Sequence, residues 1–497
     1  MAISTAIDAS AVSRVVGIKT EFKDLRGGQV VYLPQRVALI GQGNTTVTYS
    51  LTKRDVTSSF EVGSVYGFGS PLHLAALKLL PSNGDGLGTV PLTVYPLEDA
   101  GTGVVASGDV TPSGTQTVAA SYVVRAGGQS SAAFVVSPGD TVADIVTAMT
   151  AAVSANVNMP VLPTDGTTEM SFTTKWAGTS ANSVVIEVIG DTTAGTAFAI
   201  TQSAGGLVNP SVQPALDQIG DVWVTLAVNC LEVADTAALT EYGTFGEGRW
   251  GATTKKPMTV VTGNTLTTVS ASTAVPDARA SDRVNIQIPL PGSTELPLSV
   301  AARAVARIAV RANNSPARDY AGMSLDTLTP GTDGVQWDYP SRDLAVKAGS
   351  STITVKDGVP TLNDTATFYH PSGDPIPAYR FLVTIVKLQQ CIFNVDLEFN
   401  GDGWAGAPLI PDDQPTVNPY ARTPKAARAA IGAILDSLGL EAIISDPATA
   451  KANTVAQISS SNPNRLDVRI PIQVSGNANI ISTDLDFGFF FGSQVAL

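Results

Sequence analysis

Arg36-Val-Ala-Leu-Ile40, followed at once by Gly41-Gln-Gly43, reads as a buried strand running into a glycine-rich turn. An uninterrupted apolar run of this length suits a strand covered on both faces. Downstream, Ser70-Pro71 opens a helix through Leu80, with serine at the N-cap and proline at the first helical position. Pro91-Leu-Thr-Val-Tyr-Pro96 is the next strand. Strand, helix and strand within the first hundred residues make an α/β unit.

The same grammar returns after residue 208. Asp221-Val-Trp-Val-Thr-Leu-Ala-Val228 is a strand, Asp235 to Tyr242 a helix, and Pro257-Met-Thr-Val-Val261 a strand. Pro297 to Ala312 is an alanine-rich helix, Ser351 to Val355 and Thr361 to Phe368 are strands about Asp357-Gly358, and Ala378 to about Phe393 is a helix. Between these halves, residues 101–208 are rich in Gly, Ala, Ser and Thr and poor in charge. Ser121–Arg125, Ala132–Val136, Glu169–Thr173 and Ser183–Val188 are strand-like, and Asp140 or Thr141 caps a helix with Val142, Ile145, Val146, Met149 and Val153 on one face. The expected organisation is multidomain, α/β plus α+β. It has an N-terminal arm (1–26), a discontinuous central α/β domain (27–100 and 209–395), an inserted outer β-rich α+β module (101–208) expected to be dispensable because the strand–helix–strand pattern closes around it, a C-terminal α+β domain (396–478) and a C-terminal arm (479–497).

In the C-terminal domain, Thr423-Pro424 starts a helix that Gly439 ends. Leu466, Val468, Ile470, Ile472 and Val474 then alternate with polar or proline positions as a strand, and Ile481, Thr483, Leu485, Phe487, Phe489 and Phe491 share one face of another. Near the start, Val16, Ile18 and Phe22 alternate with Gly17, Lys19, Glu21 and Lys23, a strand pattern too sparse to build a sheet alone.

The formal charge of −13 argues against a general nucleic-acid binder, which carries a basic surface. Cys230 and Cys391 are too few for a disulfide framework or a four-cysteine zinc site, and both lie in apolar stretches that suit buried free thiols. The N-terminus lacks a basic segment before an apolar core, so no secretory signal is expected. No run approaches the ~18 apolar residues of a membrane helix: Val300 to Val310 is broken by Arg303 and Arg307. No direct membrane contact is expected.

Two histidines restrict the enzymatic options. His73 sits in an apolar helix and His370 precedes Pro371 in a loop, both better suited to packing than to catalysis. Gly178-Thr-Ser-Ala181 matches a subtilase-like serine motif, yet neither histidine has the flanking Gly-Thr of that family's base, and a triad needs nucleophile and base within ~3 Å. After Gly41-Gln-Gly43, Thr46 stands where a dinucleotide fingerprint needs its third glycine. Asn83-Gly-Asp-Gly86 and Asn400-Gly-Asp-Gly403 carry too few carboxylates for calcium and read as turns. No catalytic residue, metal or cofactor is expected.

Five segments, in this order, resemble the tail sheath proteins of Mu-like contractile-tailed phages. They are Pro34-Gln-Arg-Val-Ala-Leu-Ile-Gly41, Gly69-Ser-Pro71, Ser315-Pro-Ala-Arg-Asp319, Arg342-Asp-Leu-Ala-Val-Lys-Ala-Gly-Ser-Ser-Thr-Ile-Thr-Val355 and Ser482-Thr-Asp-Leu-Asp-Phe-Gly-Phe-Phe-Phe-Gly492. The resemblance implies a structural, non-enzymatic subunit of a virion tail, made in the host cytoplasm. Its copies form six-fold rings stacked helically around a tail tube, bounded by baseplate and tail terminator proteins, and contract to drive the tube through the host envelope. It makes no direct contact with nucleic acid. The family's large domain, sometimes labelled subtilisin-like, then describes homology and not proteolysis, and residues 396–478 become an inner domain facing the tube. Alternatives are a tail-tube or other self-assembling virion protein, a serine hydrolase or a surface adhesin.

Two sets of residues carry the expected contacts. Val16, Ile18 and Phe22, with Ile481, Leu485, Phe487, Phe489 and Phe491, are the inter-subunit arms, because apolar termini with free edges invite pairing with other chains. Arg422, Lys425 and Arg428 face the tube, since no acidic residue occurs between Asp413 and Asp436, and the resemblance implies that a helix of this domain lies against the tube.

Overall fold

The computed structural model describes residues 31–374 and 377–487. They divide into two compact units, one built on residues 32–393 with 474–487, the other on 394–473 with Val31.

The larger unit is organised by a six-stranded sheet. Its strands lie in the order Asn285–Pro289, Thr259–Asn264, Leu226–Asn229, Val37–Gln42, Leu92–Leu97 and Arg54–Val56, all parallel except the last. Numbered along the chain, the parallel strands run 2-1-3-4-5, a doubly wound order with helices on both faces. Val37 and Leu39 join one core with Leu72 and Leu79 of the Pro71–Leu79 helix and Val300 and Ala304 of the Pro297–Asn314 helix. Ala38 and Ile40 face the other way, onto Leu216 and Ile219 of the Gln213–Ile219 helix and Ala238 and Tyr242 of the Thr236–Arg249 helix. Both edges are blunted. Arg54–Val56 is short with Arg54 and Asp55 exposed, and on the other side Phe368 donates from its amide to the Asn285 carbonyl oxygen at 3.0 Å.

Local chemistry sets the helix starts. Ser70, Asp235 and Thr423 each accept a first-turn amide at the predicted positions, and Thr141, not Asp140, caps the Val142–Ala155 helix in a full capping box with Asp144. Elsewhere tertiary contacts overrode the pattern. Asn285-Ile-Gln-Ile-Pro289, unread as a strand, is wholly buried because Asn285 and Gln287 find partners in Leu239, Ser272 and Ser350. The helix expected from Ala378 begins at Leu382, because the Leu382 amide is tied to the Thr365 carbonyl and Phe381 bridges Ala366.

The strands of residues 105–204 pair only with one another, in two four-stranded sheets about the Val142–Ala155 helix. Val104 and Leu207 exchange two main-chain hydrogen bonds, so the segment leaves and rejoins the central domain at one place. Its apolar side chains, Val110, Tyr122, Phe172 and Trp176 among them, belong to the same core as Leu39 and Leu72.

The Pro297–Asn314 helix buries a charge. Arg303, 1% exposed, bonds the carboxylates of Asp85 (2.7 Å) and Asp326 (2.6 Å), and Arg307 reaches the same pair. Asp85 belongs to the Asn83-Gly-Asp-Gly86 turn, so that turn holds a guanidinium pair. Asp85→Ala is expected to cost about 2–3 kcal/mol. That is below the roughly 3–5 kcal/mol of a fully buried pair, because the Asp85 side chain is 41% exposed and screened. A urea midpoint unchanged from wild type would contradict this.

In the smaller unit the Pro424–Leu440 helix packs Ala427, Ile431, Leu435 and Leu438 inward, over the Pro447–Ala452 helix and a Val455–Ile458/Leu466–Arg469 hairpin. Gly439 does not end the first helix. A Cβ there would lie 2.8 Å from Pro447 Cγ, so glycine permits a close approach. The long strand expected over 466–474 stops at Arg469, and Pro471, lacking an amide donor, lies in the gap.

Candidate functional site

In a doubly wound sheet a ligand binds at the carboxyl ends of the strands where the order reverses, here between Val37–Gln42 and Leu226–Asn229. This chain fills that crevice with itself. A Cβ on Gly41 would lie 2.6 Å from Cys230 Cβ. The Gln42 amide nitrogen donates to Asp99 and to the Ala177 carbonyl, and the Thr45 amide donates to the Lys175 carbonyl at 2.8 Å. Cys230 is buried against Pro71 and its thiol pKa is pushed well up by burial; burial likewise pushes Cys391 up to about 12.

No nucleophile forms at Ser180. It is 5% exposed, takes a hydrogen bond from Trp176 Nε1 at 3.2 Å, and its amide donates to Asn209. Neither histidine is among these partners. His73 is 2% exposed and accepts from the Gly69 amide at Nδ1, while His370 lies near Asp277 and the Phe368 carbonyl. Among the described residues no cluster of three or more His, Cys, Asp or Glu could hold a metal, and no helix is long and apolar enough to cross a membrane.

The three cations expected to face the tube stand at the start of one helix but in different states. Arg422 donates to the carbonyls of Pro419 and Ala421, closing its own loop. Lys425 is exposed and makes no ion pair among the described residues. Arg428 bonds Asp412 at 2.8 Å, and the other oxygen of that carboxylate accepts the Lys425 amide at 2.6 Å. The Lys425 amide first, with help from Arg428 and Thr423, holds the Asp412 carboxyl below the usual carboxylate range. Asp412 therefore offsets the cost of cations in a first helical turn. It lies just outside the acid-free interval that drew attention to this helix.

Of the expected arm residues, Val16, Ile18, Phe22, Phe489 and Phe491 lie outside the described residues. Ile481, Leu485 and Phe487 are 81%, 85% and 81% exposed, as is Ile480 at 87%, and residues 475–487 form no strand. The alternation over 481–487 is thus a strand pattern that forms no strand among the described residues. In the smaller unit the Val455–Ile458 and Leu466–Arg469 strands pair only with each other among the described residues. Beside them lies an apolar groove of about 790 Å³ lined by Phe399, Trp404, Leu409, Leu466 and Val468, which the sequence did not disclose because its walls are scattered along the chain.

No protein-family model matches the chain. Among curated proteins it is similar to the Mu-like prophage FluMu tail sheath protein of Haemophilus influenzae, with 25% identity over 394 residues, 76% of this chain and 78% of that one. Among solved structures it resembles a sheath tail protein from Listeria innocua, with 15% identity, a TM-score of 0.48, and coverage of 90% of this chain and 93% of that one. It also resembles the helical sheath of the anti-feeding prophage in its contracted state, with 11% identity, a TM-score of 0.47, and coverage of 96% and 99%. These low TM-scores leave the assignment to the sequence relative and to the ordered segments from Pro34 to Gly492. The chain is a homologue of the tail sheath proteins of Mu-like contractile-tailed phages.

Proposed function

We propose that this chain is the structural subunit of a contractile tail sheath, polymerising in six-fold rings around a tail tube and contracting to drive the tube through the host envelope. It works in the virion tail, between baseplate and terminator proteins, without catalysing a reaction. The carrying observation is where pairing capacity lies. The central sheet has blunted edges and a filled ligand crevice, whereas residues 480–487 expose four large apolar side chains and form no strand among the described residues. Such a segment suits strand addition to a second copy, with the open Val455–Ile458/Leu466–Arg469 hairpin and its apolar groove as the receiving surface. Main-chain bonds of this kind survive rigid-body movement of the bodies they join. Negative-stain microscopy of the purified protein tests the reading: tubes or rings are expected, and a dispersed monomer at high concentration refutes it.

The basic end of the Pro424–Leu440 helix is the proposed tube contact, with Lys425 as its free charge and Arg428 shared with Asp412. Exposed pairs are worth only about 0–1 kcal/mol each, which suits a contact that sets register yet lets go during contraction. Lys425→Glu with Arg428→Glu is expected to weaken extended sheath on its tube, most at low salt where exposed charges are least screened, while tube-free polymer still forms. If the double variant dresses tubes as well as the parent at low and high salt, this helix is not the contact.

A further inference from the structure

One of the places where the inserted module meets the central domain is the turn Gly67 to Ser70, between the Ser59–Tyr66 and Pro71–Leu79 helices. Lys175, on the module's Met170–Ala177 strand, is 7% exposed and donates from its ammonium to the carbonyls of Phe68 (3.0 Å) and Val157 (2.9 Å). Among the described residues no carboxylate pairs with it. A Cβ on Gly69 would lie 2.6 Å from Lys175 Nζ and 2.3 Å from the Met159 carbonyl oxygen, so the turn is clasped from the module side without spare room. On the other side stands His73. Its Nδ1 accepts the Gly69 amide at 3.0 Å, and its ring meets the Phe68 ring edge-on at 5.1 Å.

Each piece depends on the others. The Gly69 amide needs an unprotonated Nδ1, and the Phe68 carbonyl is aimed at the ammonium only while the turn keeps its shape. The other charged groups on the two flanking helices are paired elsewhere, Glu61 with Arg54 and Lys78 with Glu295. Lys175 is the charge that His73 feels from the module.

We propose that His73 and Lys175 form an acid-released latch between the central sheet and the inserted module. A proton on Nδ1 removes the acceptor for the Gly69 amide and places a second cation near a buried ammonium that pairs with no carboxylate among the described residues. The Gly67–Ser70 turn then opens and the module loosens, while the sheets on both sides keep their own ladders.

The titration of the groups agrees with this geometry. Burial first, and Lys175 second, lower the His73 pKa to about 4; burial lowers that of Lys175 to about 8. A histidine depressed in the folded state gives stability that is fully present above its unfolded value of about 6.5. That stability fades as pH falls towards about 4, because the opened form takes up the proton first.

Hydrogen exchange on the full chain between pH 7 and 4.5, corrected for intrinsic rates, tests the latch. Amides of residues 67–70 and 157–177 are expected to lose protection on the order of 10- to 100-fold, while the Pro424–Leu440 helix holds its own. His73→Gln, which keeps an acceptor but does not titrate, is expected to stay flat across the window. Lys175→Met is expected to move the midpoint of the loss to higher pH, since the neighbouring cation is gone. Full protection of the wild-type joint at pH 4.5, or the same loss in His73→Gln, overturns the proposal. If His73→Gln does not fold, an unmoved midpoint in Lys175→Met overturns it alone.

Discussion

A chain ending at residue 478 is expected to fold as the full-length protein does and to form no tubes. The cut falls just past the ties that Ser475 and Asn477 make to the body. Lys387 Nζ donates to the Ser475 carbonyl at 2.8 Å and to Asn477 Oδ1 at 2.7 Å, and Asn477 Nδ2 donates to the Ala317 carbonyl. Beyond it Ile480, Ile481, Leu485 and Phe487 are all more than 80% exposed, so these side chains add little burial to the folded monomer. What it loses is what a second copy would bury. Four such side chains contribute about 1.5–3 kcal/mol each when buried. Ordering a strand of roughly eight residues costs about 1–2 kcal/mol per residue, so the two nearly cancel and main-chain pairing supplies the surplus. A contact this finely balanced fails when the segment is removed. Sedimentation and negative-stain microscopy, beside a thermal melt matching the parent's, check the outcome. Tubes of normal length from the truncated chain would sink the arm hypothesis. Deletion of residues 1–23 is expected to abolish polymerisation in the same way, on the pattern of Val16, Ile18 and Phe22.

Replacing residues 101–208 with a short Gly/Ser linker is expected to prevent folding. From sequence the opposite was expected, since the strand–helix–strand grammar closes around the segment and an outward module can be spared. The chain path supports that view, for Val104 and Leu207 lie side by side. The packing does not. The module's apolar residues share one core with the central sheet, and its Gly127 sits where a Cβ would be 2.8 Å from Leu296 Cγ. Excision strips Gln42, Thr45 and the Phe68 carbonyl of partners, at about 1–3 kcal/mol for each buried group left unsatisfied. It also uncovers apolar surface at Leu296, which is fully buried and lies against Gly127. These losses together approach the roughly 5–15 kcal/mol by which a domain is stable. Soluble expression and circular dichroism of the linker variant decide the matter. A folded, tube-forming product would show that the joint is dispensable.

What short-range chemistry controls was legible along the chain. Apolar runs such as Val37–Ile40 and Leu226–Val228 announced strands covered on both faces, hence an α/β sheet. Ser70, Asp235 and Thr423 announced helix starts, because a cap bonds an amide only three residues on. The scarcity of histidine and the failed glycine fingerprint were equally legible, and the ordered segments from Pro34 to Gly492 carried the family resemblance. Tertiary structure decided wherever a residue's partner lies far along the chain. Asn285 and Gln287 look exposed by alternation, yet a distant carbonyl and hydroxyl accept from their amide nitrogens and make an inner strand. Asp85 in an apparent turn neutralises Arg303 from 218 positions away. Asp412 holds Arg428 from across a proline-rich loop, and Lys175 reaches Phe68 from another sheet. Periodicity and capping report on neighbours within a few residues. A buried charge or amide is tolerated only where the fold brings its counterpart, and no local window of sequence contains that counterpart.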